Sequence, residues 1–205
     1  NCLKALSEDP CRPFDMERTG LNLGEAAATM VFASDRVPGN GGMWHLKRGC
    51  VRNDAFHITN PSPKGEGCFR ALEYVTDGIS AESLATIGAH GTATMYNDQM
   101  ESVAIERAGL SDVPLSALKS VAQGWIPGVA GYAESGVSGR INASPDQRPT
   151  DKKSFIKIMS GFGGSNGALL YTMGGADSVA MRGNETYPVG DMPVARHTVR
   201  ITSET

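Results

Sequence analysis

The stretch SAESLATIGAHGTATMYNDQMESVAIERAGLSDVPLSALKS, residues 80–120, decides the fold class, because its apolar pattern changes period twice. Ser80 and Glu82 precede a short apolar run, which reads as a brief helical turn leading into a strand that ends at His90. From Asn97 to Gly109 the pattern becomes helical: Met100, Val103, Ala104 and Ala108 share one face, Asn97 or Asp98 can cap the start, and Gly109 stops it. VPLSALKSVA, residues 113–122, then reads as a second strand closing on the polar pair Lys119 and Ser120. Strand, helix, strand favours an α/β layered architecture over an all-β or bundle fold.

Working outward, SFIKIMSGFGGSNGALLYTM (154–173) has two apolar arms around a glycine turn and predicts a hairpin of two strands. NDAFHITNPSPKGEGCFRALEYV (53–75) is a proline-bearing loop entering an amphipathic helix, with Phe69, Leu72 and Val75 spaced by three. In CRPFDMERTGLNLGEAAATMVFASD (11–35), a proline loop and a glycine turn precede AAATMVFA, short enough for a buried strand. RVPGNGGMWHLKRGC (36–50) reads as a turn cluster, a hairpin or crossover, and residues 174–205 as a polar, turn-rich extension ending in the short strand HTVRIT. No internal repeat is present.

Composition excludes several classes of function. A net charge of -3 lacks the basic surplus of a nucleic-acid binder. No run reaches the roughly 18 to 20 apolar residues of a membrane span, and the start has no signal-peptide pattern, so the expected compartment is cytoplasmic. The absence of an initiating methionine suggests a processed chain or a fragment. Cys2, Cys11, Cys50 and Cys68 lack metal-ligand spacing, which predicts inert free thiols and no metal site. Of the four histidines, His90 alone stands between small residues at a strand end, where a ligand has room. His57 reads equally as a loop-orienting or a site residue; His45 and His197 read as surface or loop positions. The loop GFGGSNG lacks the lysine of a phosphate-binding P-loop and is better read as flexible backbone beside a substrate.

Five motifs in one order carry a family resemblance: CRPFD with RTGLNLGEAAA (11–28), NDAFHITNPSPKGEG (53–67), AHGTATMYNDQMES (89–102), LKS (118–120) and SGFGGSNGALL (160–170). The chain resembles the C-terminal half of a β-ketoacyl-acyl carrier protein synthase, a condensing enzyme of the thiolase superfamily. The resemblance implies a thiolase-like α-β-α fold over residues 1–173. It also implies decarboxylative condensation of acyl and malonyl thioesters in fatty acid or polyketide biosynthesis, and a dimer. Substrates would arrive on the phosphopantetheine of acyl carrier protein, with no further cofactor. It assigns His90 as the first of two catalytic histidines, Lys119 as the lysine beside the site and Glu101 as the carboxylate that holds it. Asp98 supports the site as a helix cap. Thr59, Thr92 and Thr94 match hydroxyls that meet the pantetheine arm; Phe162, with Gly163 in the same glycine loop, matches the gatekeeping phenylalanine.

Two departures qualify this match. The family's nucleophilic cysteine lies in its N-terminal half, and neither Cys2 nor Cys11 matches it. The family follows its lysine–serine pair with a second histidine that opens a buried helix, whereas here LKSVA runs into QGWIPGVAGY. Either a helix has been lost near Ala122–Gly124, or the molecule contains residues outside this sequence. The alternatives to a ketosynthase are therefore a non-catalytic partner of one, like a chain-length factor, forming a heterodimer, or an incomplete fragment.

Overall fold

A computed structural model describes residues 5–25, 27, 29–32, 44–118, 136–143 and 149–174. Six strands among them form one sheet: β1 (Trp44–Asn53), β2 (Leu84–Gly88), β3 (Pro114–Ser116), β4 (Asn142–Ala143), β5 (Ser154–Gly161) and β6 (Ser165–Met173). Their order across the sheet is β1-β6-β5-β2-β3-β4. The first three are antiparallel neighbours, while β5, β2, β3 and β4 run parallel. Two helices, α1 (Glu66–Thr76) and α2 (Met95–Arg107), join the strands, so the α/β class read from residues 80–120 is what the chain adopts.

The parallel pair β2 and β3 cannot be joined by a tight turn, and α2 supplies the crossover between them. β5 and β6 are the predicted hairpin; Gly161 pairs with Ser165 across a single 3-10 turn, Phe162–Gly164. Ile156 and Ile158 of β5 join Ala168 and Leu170 of β6 and Ile87 of β2 in the core, covered by Leu72 and Val75 of α1 and Met100, Ala104 and Ile105 of α2. Each such large apolar side chain contributes about 1.5–3 kcal/mol on leaving water. α1 enters this core through Gly65, whose φ of 58° and approach to α2 admit no side chain: a Cβ there would stand 2.7 Å from the Met100 carbonyl oxygen.

Three expectations are corrected. Trp44–Asn53, whose first seven residues belong to the expected turn cluster 36–50, is a ten-residue strand. It lies at the sheet edge with a register shift between Leu46 and Arg48, and an edge strand carries lysine and arginine where an inner strand would be apolar. The described part of AAATMVFA forms no strand: Met30, Val31 and Phe32 are exposed, Val31 at 85%. β-branched and aromatic residues make a strand only where a partner supplies ladder bonds and a face to bury, and no described strand flanks them. Helix α2 starts earlier than its expected caps: Thr94 holds the extended N-cap position, and Asn97 and Asp98 lie inside the first turn. β3 ends at Ser116; Lys119, Ser120, the junction at Ala122–Gly124 and the HTVRIT strand with residues 175–205 of the extension fall outside the described residues.

Candidate active site

The ladder of β2 stops at Gly88, and charged side chains then take over the backbone. Ala89 N–H still donates to the Ser116 carbonyl at 2.7 Å. The next two amides, His90 and Gly91, donate to the Glu101 carboxylate at 3.0 and 3.1 Å, and Thr92 N–H donates to Asp98 at 3.0 Å. Asp98 and Glu101 are three residues apart on α2, so both carboxylates face the turn that presents His90. Asp98 also accepts from Phe14 N–H at 2.7 Å, tying the N-terminal CRPFD loop to the same place. Asp98 is therefore a buried anchor for two loops, in place of the helix cap expected of it.

Both carboxylates are fully buried. Burial, followed by the charge of Asp98, pushes the Glu101 carboxyl up to about 8 against three N–H donors, from Asn97, Gly91 and His90. Burial likewise raises Asp98, opposed by its hydrogen bonds to Phe14, Asn97 and Thr92 and by Arg18. Arg18 Nε faces Asp98 at 4.0 Å, while its other nitrogens donate to the carbonyls of Asp15, Gly136 and Met95. Desolvation lowers this guanidinium's pKa despite Asp98 and Asp15.

In front of this support lies a cavity of about 380 Å³. His90, Thr92 and Thr94 line it from the β2–α2 turn, Thr59 from the loop before α1, and Phe162 and Gly163 from the glycine hairpin. Ala93 adopts a φ of 58° between the two threonines, whose hydroxyl oxygens stand 2.8 Å apart. A non-glycine residue in the left-handed region costs about 1–2 kcal/mol, a cost found disproportionately at functional sites. Phe162 is 74% exposed at the cavity. Six of the residues singled out in the sequence thus share one cavity, with Asp98 and Glu101 behind it; Lys119 lies outside the described residues.

The other two walls are laced together. Gly163, at a φ of 79°, donates to the Ile58 carbonyl at 2.8 Å, and its own carbonyl accepts from Asn53 Nδ2 at 2.7 Å. Asp54 N–H donates to the Gly164 carbonyl, while the Asp54 carboxylate accepts from Ser62 and Gly67 N–H at 3.0 and 2.7 Å. Buried Asn166 accepts from Ser160 and donates to the Gly164 carbonyl. His57 Nδ1 accepts from the amides of Thr59 and Asn60, both at 3.2 Å, so it orients this loop. Asp54, Asn166 and Arg18 escaped the sequence reading; only their placement inside the quoted motifs could have pointed to them.

The described cysteines, Cys11, Cys50 and Cys68, fit the reading of inert thiols; Cys2 lies outside the described residues. Cys11 is buried behind Thr92, donating to its carbonyl at 3.7 Å. Burial pushes the Cys68 thiol well up and raises that of the half-buried Cys50. No described cysteine lines the cavity.

Comparison with known proteins agrees with this geometry. Residues 45–136 match the family described as "Beta-ketoacyl synthase, C-terminal domain". Nodulation protein E of Rhizobium meliloti is 31% identical over 198 residues, covering 82% of this chain and 49% of that protein. A 3-oxoacyl-[acyl-carrier-protein] synthase 2 of Mycobacterium leprae is 27% identical over 188 residues, covering 78% and 45%. Among solved structures, the complex of a ketosynthase with its chain length factor from Xenorhabdus doucetiae contains a chain that matches with a TM-score of 0.68 and 25% identity, over 84% of this chain and 48% of that one. The chain spans about half the length of the curated relatives it matches. By sequence, residues 45–136 match the C-terminal domain of the beta-ketoacyl synthase family, and the fold of the described residues agrees with that match.

Proposed function

We propose that the chain supplies the His90 side of a β-ketoacyl-acyl carrier protein synthase site, acting on acyl and malonyl thioesters in fatty acid or polyketide synthesis. The observation that carries this reading is the convergence of His90, three threonine hydroxyls and Phe162 on one cavity. A pantetheine arm is a chain of amides ending in a thioester; Thr59, Thr92 and Thr94 offer it hydroxyls. Residues 1–173 serve as the condensing region and 174–205 as an extension.

In the reaction the malonyl thioester loses carbon dioxide and leaves an enolate. His90 donates a hydrogen bond to the developing enolate oxygen, a stabilisation realised mainly in the transition state. The enolate carbon attacks the carbonyl of an enzyme-bound acyl thioester, a carbon–carbon bond forms, and the cysteine thiolate leaves. That cysteine and a second histidine come from outside these 205 residues, in the same polypeptide or a dimer partner. Lys119 serves as the lysine that the resemblance assigns to the reaction, and the whole acts in the cytosol. The complete assembly, including the chain that carries the cysteine, incubated with acyl- and malonyl-acyl carrier protein is expected to yield a 3-oxoacyl product; no product overturns the enzyme reading.

A second reading is favoured by the passage of LKSVA directly into QGWIPGVAGY, without a second histidine. The chain then shapes an acyl tunnel as a chain-length-factor-like partner of an intact ketosynthase. Co-purification with such a ketosynthase supports this reading, and condensation by the chain alone removes it.

A further inference from the structure

We infer that Lys157 is a positioning residue for His90, which deepens the condensing reading and rests on it. Lys157 lies on β5 directly beside Gly88, in register across the β2–β5 pair. Its half-buried side chain passes over that glycine, and its Nζ donates to the Ala89 carbonyl at 2.7 Å. Gly88 makes the passage possible: a Cβ there would stand 3.1 Å from Lys157 Cδ. Beyond Ala89 the amides of His90 and Gly91 belong to Glu101. The peptide unit joining Ala89 to His90 is thus held from both ends, its carbonyl by an ammonium and its N–H by a carboxyl.

This arrangement replaces the ladder that β2 loses at Gly88. A single carboxyl on one side could tilt the peptide toward α2; the lysine opposes it from the sheet and fixes the direction in which His90 leaves the strand. Catalysis by a hydrogen bond to a developing oxyanion depends steeply on such placement, and a displacement of about 1 Å can cost about 100-fold in rate. Lys157 has no place on the cavity wall, so its influence on turnover passes through the His90 backbone.

Lys157→Met keeps the apolar stem over Gly88 and removes the donor; Lys157→Arg keeps a donor. In the purified protein without substrate, the Met variant is expected to shift and broaden the His90 imidazole proton resonances and to speed amide exchange at His90 and Gly91 by about tenfold. In the condensation assay kcat falls about tenfold with KM within twofold, and Lys157→Arg recovers to within about threefold of wild type. A folded Met variant with unchanged His90 resonances and exchange overturns the inference, as does an Arg variant that falls as far as Met. Should the Met variant fail to fold, the Arg variant decides alone: wild-type resonances and exchange support the inference and altered ones overturn it. The resonance and exchange measurements need no turnover, so a wild-type assembly that includes the cysteine yet is inactive in condensation refutes the condensing reading separately.

Discussion

Glu101 concentrates the energetics of the site in one side chain. Its carboxyl titrates near 8 in the folded protein against an ordinary value of 4.5, so the folded form binds a proton that the unfolded chain has already released across that window. The sign follows: stability from this group is fully present below about pH 4.5 and declines as pH rises toward 8. The limiting slope is about 1.4 kcal/mol per pH unit for one proton. Urea unfolding between pH 5 and 8 should show this decline, and Glu101→Gln should flatten it by removing the titrating group. Glu101→Ala leaves the amides of His90 and Gly91 without their acceptor, an expected loss of about 2–6 kcal/mol at about 1–3 per orphaned group. An equal urea midpoint for wild type and Glu101→Ala would contradict the backbone role assigned to this residue.

Between elements, the loop 53–67 and the glycine hairpin form a shared frame around Asp54. Asp54→Ala should cost about 2 kcal/mol and speed amide exchange at Ser62 and Gly67, read by hydrogen exchange. Gly65→Ala should be worse, because its Cβ would collide with α2 backbone in a left-handed conformation; the midpoint of urea unfolding reports it. Some elements were legible because pattern and packing agree. Phe69, Leu72 and Val75 mark one helix face, and Leu72 and Val75 are fully buried there. The apolar arms of 154–173 became β5 and β6. Strand β1 was hidden because an edge strand answers to solvent as much as to the core, and Trp44–Asn53 mixes both residue types. The start of α2 was misread because Asn97 and Asp98 have capping chemistry, yet Asp98 uses it on Phe14 and Thr92, partners from other stretches of chain. Which residues sharing a motif would meet in one cavity depends on such long-range pairing, which spacing does not encode.

At the scale of the molecule, the cavity collects walls from the β2–α2 turn, the loop before α1 and the glycine hairpin, stretches separated by tens of residues. The sheet order explains how: β2 stands beside β5 and parallel to it, so the carboxyl end of the strand that leads to His90 and that of the strand entering Phe162–Gly164 lie side by side. Through the motifs the sequence made six cavity residues visible, but the lysine that steadies His90 from β5 belongs to no motif and emerged only from the strand register. The central claim is that this cavity receives a pantetheine thioester. Its most direct test is a titration of isotope-labelled protein with acetyl-pantetheine, following backbone amide resonances. The account predicts saturable shifts at Thr59, Thr92, Thr94 and Gly163 that are reduced in Thr92→Val; shifts confined to other surfaces, or none at saturating ligand, would contradict it.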